Sequence, residues 1–189
     1  MLSAIILTLN EERHLPDCLA SLGWADEIVV FDSGSTDGTT RIATEAGARV
    51  ITRAFDNYAG QRDAALRSVS SEWVLFVDAD ERIPETLRDE IRTVLARAEA
   101  GWWIPRHNYI FGRLTRHTGW YPDEQLRLLR RERARYDPTR PVHELVLLDG
   151  LARHLTQPMV HLNYETVTEF VRKQTYYAAY DADRLALEG

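Results

Sequence analysis

Short apolar runs alternate with helical patterns along the first hundred residues, and few folds accommodate that rhythm. Residues 3–9 form a continuous apolar run, after which Leu15, Cys18, Leu19 and Leu22 recur at helical spacing. Residues 27–31 (Glu-Ile-Val-Val-Phe) read as a second strand, ended by the turn-forming string Asp32-Ser33-Gly34-Ser35-Thr36-Asp37-Gly38. Ile42, Ala43 and Ala46 predict a short helix closed by Gly47. A third strand follows at 48–52, a helix at 58–69 and a fourth strand at 72–77. Pro84 suits the first turn of the next helix, which has Leu87, Ile91, Val94, Leu95 and Ala98 on its apolar face. Strands interleaved with helices indicate βαβ units, hence an α/β fold with a mostly parallel central sheet and helices on both faces.

Beyond residue 100 the pattern changes. Residues 102–105 read as a strand, followed by a Gly- and aromatic-rich stretch to Tyr121. Residues 126–129 and 142–148 are further strand candidates, and Asp149-Gly150 is a hairpin signal. Val167, Phe170, Val171, Gln174 and Ala178 lie on one face of a closing helix. A chain of 189 residues can bury about 70% of its unfolded surface, enough for one sizeable core. Residues 1–189 are therefore expected to form a single domain with two halves, 1–100 and 101–189. The last helical pattern meets no terminator, so the natural chain is expected to extend past Gly189.

The net charge of −6 argues against a nucleic-acid partner, because phosphate neutralisation needs a basic face. Cys18 is the lone cysteine, which excludes an intramolecular disulfide and a Cys-rich zinc module and fits a reducing compartment. There is no run of 18 apolar residues and no basic segment ahead of the first strand, so a cytoplasmic protein is expected. Arg127, Arg130, Arg131, Arg133, Arg135 and Arg140 make a local basic run. Such a run is ordinarily a solvated face; its sharper reading is peripheral contact with an anionic membrane or with an acceptor's phosphates.

In an open parallel sheet, ligands bind beyond the carboxyl ends of the strands, and here those ends carry the polar groups. The first strand runs into Thr8-Leu9-Asn10-Glu11, the second into Asp32 and the fourth into Asp78-Ala79-Asp80. Two carboxylates separated by one residue can hold a divalent cation that neutralises a diphosphate leaving group. They can equally form a turn, with Asp80 capping the helix near Pro84. Asp37 reads as a cap of the following helix, whereas Asp32, at its strand end, can accept a hydrogen bond from a base or a ribose hydroxyl.

Ile6-Leu7-Thr8-Leu9-Asn10-Glu11, Asp32-Ser33-Gly34-Ser35-Thr36-Asp37-Gly38-Thr39 and Phe76-Val77-Asp78-Ala79-Asp80-Glu81 together resemble the successive motifs of family 2 inverting glycosyltransferases with the GT-A fold. Trp120-Tyr121-Pro122-Asp123-Glu124-Gln125-Leu126-Arg127-Leu128, Val142-His143-Glu144 and His161-Leu162-Asn163-Tyr164 resemble the bacterial branch that includes lipopolysaccharide-core β-1,4-glucosyltransferases. The resemblance implies metal-dependent inverting transfer of a hexose, glucose in that branch, from a UDP-sugar to a cell-envelope glycan or lipid-linked saccharide. It implies that Thr8, Asp32 and Arg62 line the nucleotide pocket and that Asp78 reaches the ribose or the metal. It further implies that Asp80 binds Mg²⁺ or Mn²⁺, with His143 an additional ligand, and that Asp123, or Glu124 in the adjacent register, is the base. The work would take place in the cytoplasm, at the inner face of the membrane.

Other assignments stand beside these. His161 reads as a structural residue of a strand, and His107, His117 and His154 have no identifying spacing. Trp102, Trp103, Tyr109, Phe111, Trp120 and Tyr121 divide between core packing and a sugar-stacking platform. A haloacid-dehalogenase-like phosphohydrolase also places Asp-X-Asp after an apolar strand, but it needs a lysine near phosphate, and Lys173 in a late helix is the lone lysine. A catalytically silent carbohydrate-binding module is the third alternative.

Overall fold

β1 (Leu2–Thr8) is apolar along its whole length and takes parallel neighbours on both sides, β2 (Glu27–Asp32) and β4 (Trp73–Asp78), while β3 (Arg49–Thr52) adds to β2. These contacts come from a computed structural model that describes residues 1–116, 121, 123–137, 146–168, 170–172 and 174–175. The strand order β3-β2-β1-β4 has the helices α1 (Leu15–Leu22), α2 (Thr39–Glu45) and α3 (Tyr58–Arg67) in its connections, and α4 (Glu85–Val94) leads on from this unit into the second half. Alternate strand residues go to opposite faces. Leu2, Ala4 and Ile6 pack with α1, α2 and α4 on one face; Ile5, Val29 and Phe31 pack with Ala59, Ala65 and Leu66 of α3 on the other.

The second half continues the same sheet. β8 (Asp123–Arg130) pairs antiparallel with β4, then β6 (Gly101–Ile110) antiparallel with β8, and β12 (Met159–Tyr164) parallel with β6. The short β5 (Glu81–Arg82), directly after Asp80, closes the row against β12. β7 (Arg113–Leu114) and β11 (Ala152–His154) flank β6. Among the described residues, β1, β2, β3, β4, β6, β11 and β12 run one way and β5, β7 and β8 the other, so the sheet is mixed but mostly parallel.

Three local expectations fail. Asp149-Gly150 is not a hairpin turn: β10 (Val146–Leu148) pairs with β9 (Ala134–Tyr136), while β11 on the far side of the turn joins β6. Gly150, at φ 131°, redirects the chain between the two sheets. Val167 and Val171 are exposed; of the expected face, Phe170 meets Tyr164 edge-on at 5.0 Å and Gln174 Nε2 donates to the Tyr164 hydroxyl at 3.0 Å. Ala98 lies past the end of α4 and is exposed, so the helix's buried face is Leu87, Ile91 and Val94. Residues 142–145 and Ala178 lie outside the described residues.

Candidate active site

Thr8 is opposite Asp32 and Leu7 opposite Asp78 in the register, so the carboxyl ends of β2 and β4 flank that of β1. With neighbouring strands about 4.8 Å apart, the backbones at Asp32 and Asp78 lie about 10 Å from each other. Asp32 is 1% exposed. Its Oδ1 accepts from the Thr8 hydroxyl at 2.9 Å and the Ser35 hydroxyl at 2.5 Å; its Oδ2 accepts from the backbone N–H groups of Gly34 and Ser35. The two expected nucleotide-pocket residues Thr8 and Asp32 are thus bonded to each other, and Asp32 shapes the glycine-rich turn above it.

That turn is laced to the loop after β1. Asn10, in the left-handed region at φ 57°, accepts from the Thr36 N–H and donates its own N–H to Ser35 Oγ. The Glu11 N–H donates to Thr39 Oγ1, and Glu12 exchanges bonds with Asp37 and Gly38. Asp37 is not the N-cap expected of it, a place Gly38 takes; from one residue earlier it accepts the Thr39 N–H at 2.9 Å at the start of α2.

Asp78 is committed to arginine. Its Oδ1 accepts from Arg62 and Arg127, each at 3.2 Å, and its Oδ2 from Arg127 at 2.5 Å. Burial would raise its carboxyl, but the Arg127 and Arg62 guanidinium groups hold it well below the usual carboxylate range. Arg62, expected beside Asp32, reaches Asp78 and sits over the Phe76 ring. Three positions on, Glu81 is 0% exposed; its Oε2 accepts the Asp78 N–H, and its Oε1 is paired with Arg106 and Arg127. Burial pushes its carboxyl upward despite Arg127.

Asp80 does not cap α4. Its Oδ2 faces His161 Nε2 at 3.4 Å, because β5 brings Glu81 opposite His161 and the Leu162 N–H bonds the Asp80 carbonyl. His161 Nδ1 is 2.6 Å from Asn108 Oδ1, and Asn108 Nδ2 donates to Asp123 Oδ2 at 2.8 Å. Asp123 also accepts from Arg106 Nε at 2.8 Å and Gln125 Nε2 at 2.7 Å. Burial opposes ionisation of Asp123, but the bonds from Asn108, Arg106 and Gln125 prevail and hold its carboxyl below the ordinary range. Asp78, Arg127, Glu81, Arg106, Asp123, Asn108, His161 and Asp80 form one continuous polar circuit joining the Asp-X-Asp segment to Asp123.

Adjacent strand residues point to opposite faces, so Glu124 is not in this circuit. It is partly exposed and bonds His154 Nδ1 at 3.0 Å. His143 and Trp120 lie outside the described residues. The arginine run divides: Arg127 is buried in the circuit, Arg130 donates to the Glu99 and Arg97 carbonyls and pairs with Glu72, and Arg131 bonds the Ser71 carbonyl. Of the aromatic residues Trp102 is core, whereas Phe111 and Tyr121 are exposed.

Sequence reading missed Arg106, Asn108, Glu81, Arg127 and His161 as site residues. Arg127 carried a usable signal: a charge between Leu126 and Leu128 in an apolar strand needs a buried partner. Arg106 and Asn108 carried none, since their partners belong to other strands. A cleft of about 400 Å³, within the size range of small-ligand sites, opens beside Asp80, with Asn10, Glu11, Arg13, His14 and Arg172 in its walls. Asp80 and His161 offer one carboxylate and one imidazole. No cluster of three or more His, Cys, Asp or Glu side chains arranged to hold a metal occurs among the described residues, so an ion here would need oxygens from substrate and water to complete its coordination. The residues present fit such a shared site.

The family model "Glycosyl transferase family 2" matches residues 3–144. Over 201 aligned positions the chain is 35% identical to the lipopolysaccharide core biosynthesis glycosyltransferase LpsC of Rhizobium meliloti, covering all of this chain and 73% of that protein. A TPR repeat-containing protein of Synechococcus elongatus is 33% identical over 99% of the chain, which spans 44% of that protein's length. Among solved structures, S. aureus TarS 1–349 superposes with a TM-score of 0.53 at 24% identity, covering 69% of this chain and 47% of that one. That likeness confirms the GT-A fold implied by the motifs. The chain belongs to glycosyl transferase family 2 and is a glycosyltransferase.

Proposed function

We propose that this chain transfers a hexose, with glucose the first candidate, from a UDP-sugar to a bacterial envelope glycan or lipid-linked saccharide of the lipopolysaccharide-core type, with inversion at the transferred carbon. The observation that carries the reading is the continuous polar circuit, which links the Asp-X-Asp segment to a carboxylate on a neighbouring strand at one edge of the sheet. LpsC, named for lipopolysaccharide core biosynthesis, supports the acceptor class.

In this reading Asp123 is the base and Glu124 is not. Asp123 Oδ2 is occupied by Arg106 and Asn108, while Oδ1 accepts only from Gln125 among the described contacts and keeps capacity for an acceptor hydroxyl. Held ionised, Asp123 takes the hydroxyl proton as the new C–O bond forms opposite the departing UDP. Inversion in one displacement needs no carboxylate nucleophile. Asp80 and His161 would hold the divalent cation, with Asp78 removed from the set expected from the motifs because it is neutralised by Arg62 and Arg127. When bound, the cation neutralises the charge developing on the diphosphate. An oxygen and an imidazole nitrogen suit Mn²⁺ better than Mg²⁺. Arg13 and Arg172 give the cleft guanidinium groups for the same phosphates.

Transfer from UDP-hexoses to core oligosaccharide, measured with and without Mn²⁺, tests the reading. Asp123→Asn should keep UDP affinity and lose at least about 100-fold in kcat, the lower end of general-base contributions. Asp80→Asn should lose the Mn²⁺-dependent part of UDP binding. An Asp123→Asn enzyme with near-normal turnover would remove Asp123 from the role.

A further inference from the structure

Asn108 stands in β6 between β8 and β12 and is 2% exposed. Its surroundings permit one orientation of its amide. An ionised Asp123 can only accept, so the atom 2.8 Å from its Oδ2 is the amide nitrogen. The amide oxygen therefore faces His161 Nδ1 at 2.6 Å, and since that oxygen can only accept, Nδ1 carries a hydrogen. A neutral imidazole protonated at Nδ1 has a bare lone pair at Nε2, the atom that faces Asp80 Oδ2 at 3.4 Å. Two acceptors facing each other repel unless a proton or a cation lies between them.

We infer that Asn108 is a positioning residue serving both ends of the reaction centre. Its carbonyl sets the His161 tautomer that presents Nε2 toward a cation beside Asp80, and its N–H holds Asp123 Oδ2 so that Oδ1 is left to take the proton. The inference rests on the reading that Asp80 and His161 take a divalent cation and Asp123 the acceptor proton. The two functions use different atoms of one side chain, so substitutions separate them. Asn108→Asp keeps an acceptor for His161 but loses the donor to Asp123 and sets a like charge against it. Asn108→Leu loses both.

The experiment uses the full chain, with long-range ¹H–¹⁵N imidazole spectra at a pH where His161 is neutral and Mn²⁺ titration followed by EPR. Wild type should show the Nδ1–H tautomer. Asn108→Asp should keep that tautomer and Mn²⁺ affinity within about threefold while losing at least about tenfold in kcat. Asn108→Leu should shift toward Nε2–H and lose about 10–100-fold in Mn²⁺ affinity, the usual effect of removing a partner that orients a ligand. An Nε2–H tautomer in wild type overturns the inference, as does wild-type Mn²⁺ affinity in Asn108→Leu. Should Asn108→Leu fail to fold by circular dichroism, the wild-type tautomer and the Asn108→Asp split decide alone. Asp80→Asn separates the two layers. If it binds Mn²⁺ like wild type, the cation reading falls and takes the inference with it. If it loses Mn²⁺ while Asn108→Leu keeps it, only the role of Asn108 falls.

Discussion

Arg127 follows Leu126 and precedes Leu128 in β8, and its guanidinium meets Asp78 at 2.5 Å and Glu81 at 3.5 Å. Removing it would take one arginine from the half-buried Asp78 and one from the buried Glu81, leaving Arg62 and Arg106 as their partners. Breaking a fully buried pair from one side, the upper bound here, costs about 3–5 kcal/mol. Arg127→Met is therefore expected to lose stability at pH 7 in urea unfolding, by less than that bound. The sign of the pH dependence follows from Asp78. Its folded carboxyl is held below the unfolded value, so its stabilisation is present above about pH 4, the unfolded carboxylate value, and fades as pH falls through the folded value. In the variant the Arg127 share of that depression is gone and the Arg62 share remains, so the gap between the two proteins should narrow on acidification below about pH 4. A gap unchanged from pH 7 to pH 3 would mean that Arg127 does not hold Asp78 ionised. At this scale the motifs indicated which carboxylates matter, but not that one of them, Asp78, is tied up by arginine from α3 and β8.

The elements of the first half followed from the sequence because each is a local pattern. The run expected at 3–9 became β1 one position earlier, at Leu2–Thr8, Leu15, Cys18, Leu19 and Leu22 became the buried face of α1, and the string after Asp32 became a turn. What local pattern did not reveal is that the turns after β1 and β2 bond to each other. Thr39, 0% exposed, accepts the Glu11 N–H at 2.8 Å and donates to Asp37 at 2.5 Å. Thr39→Val keeps the shape and removes both bonds, so it should cost about 1–2 kcal/mol, while Thr39→Ser should stay near wild type. Equal urea midpoints for the Val and Ser variants would deny the lacing a stabilising role. In the second half, β8 and β6 were located in part, yet the reversal of β8 against β4 was not legible. That reversal is what carries Asp123, at the beginning of a strand, to the edge where the parallel strands end.

At the scale of the molecule, one sheet separates two apolar clusters, with α1, α2 and α4 over one face and α3 over the other. Among the described residues no helix is long and apolar enough to cross a membrane. The site occupies the sheet edge, where a ligand touching several loops should stabilise the whole chain. At 100 times its dissociation constant a ligand adds about 2.7 kcal/mol, roughly 5–11 °C for a domain of this size. UDP with Mn²⁺ should approach that shift in a thermal melt and UDP alone should fall clearly short; equal shifts would speak against a cation shared between diphosphate and protein. The alternation of apolar and polar residues by itself determined the βαβ half and its edge, because backbone periodicity and burial are local properties of the chain. Which acidic groups remain available, and which are held by arginine, histidine or asparagine, was decided only by the tertiary structure. Arg127 meets Asp78 from 49 positions away, Asn108 meets Asp123 and His161 from 15 and 53 positions away, and a charge or a lone pair takes its chemistry from what faces it across the sheet.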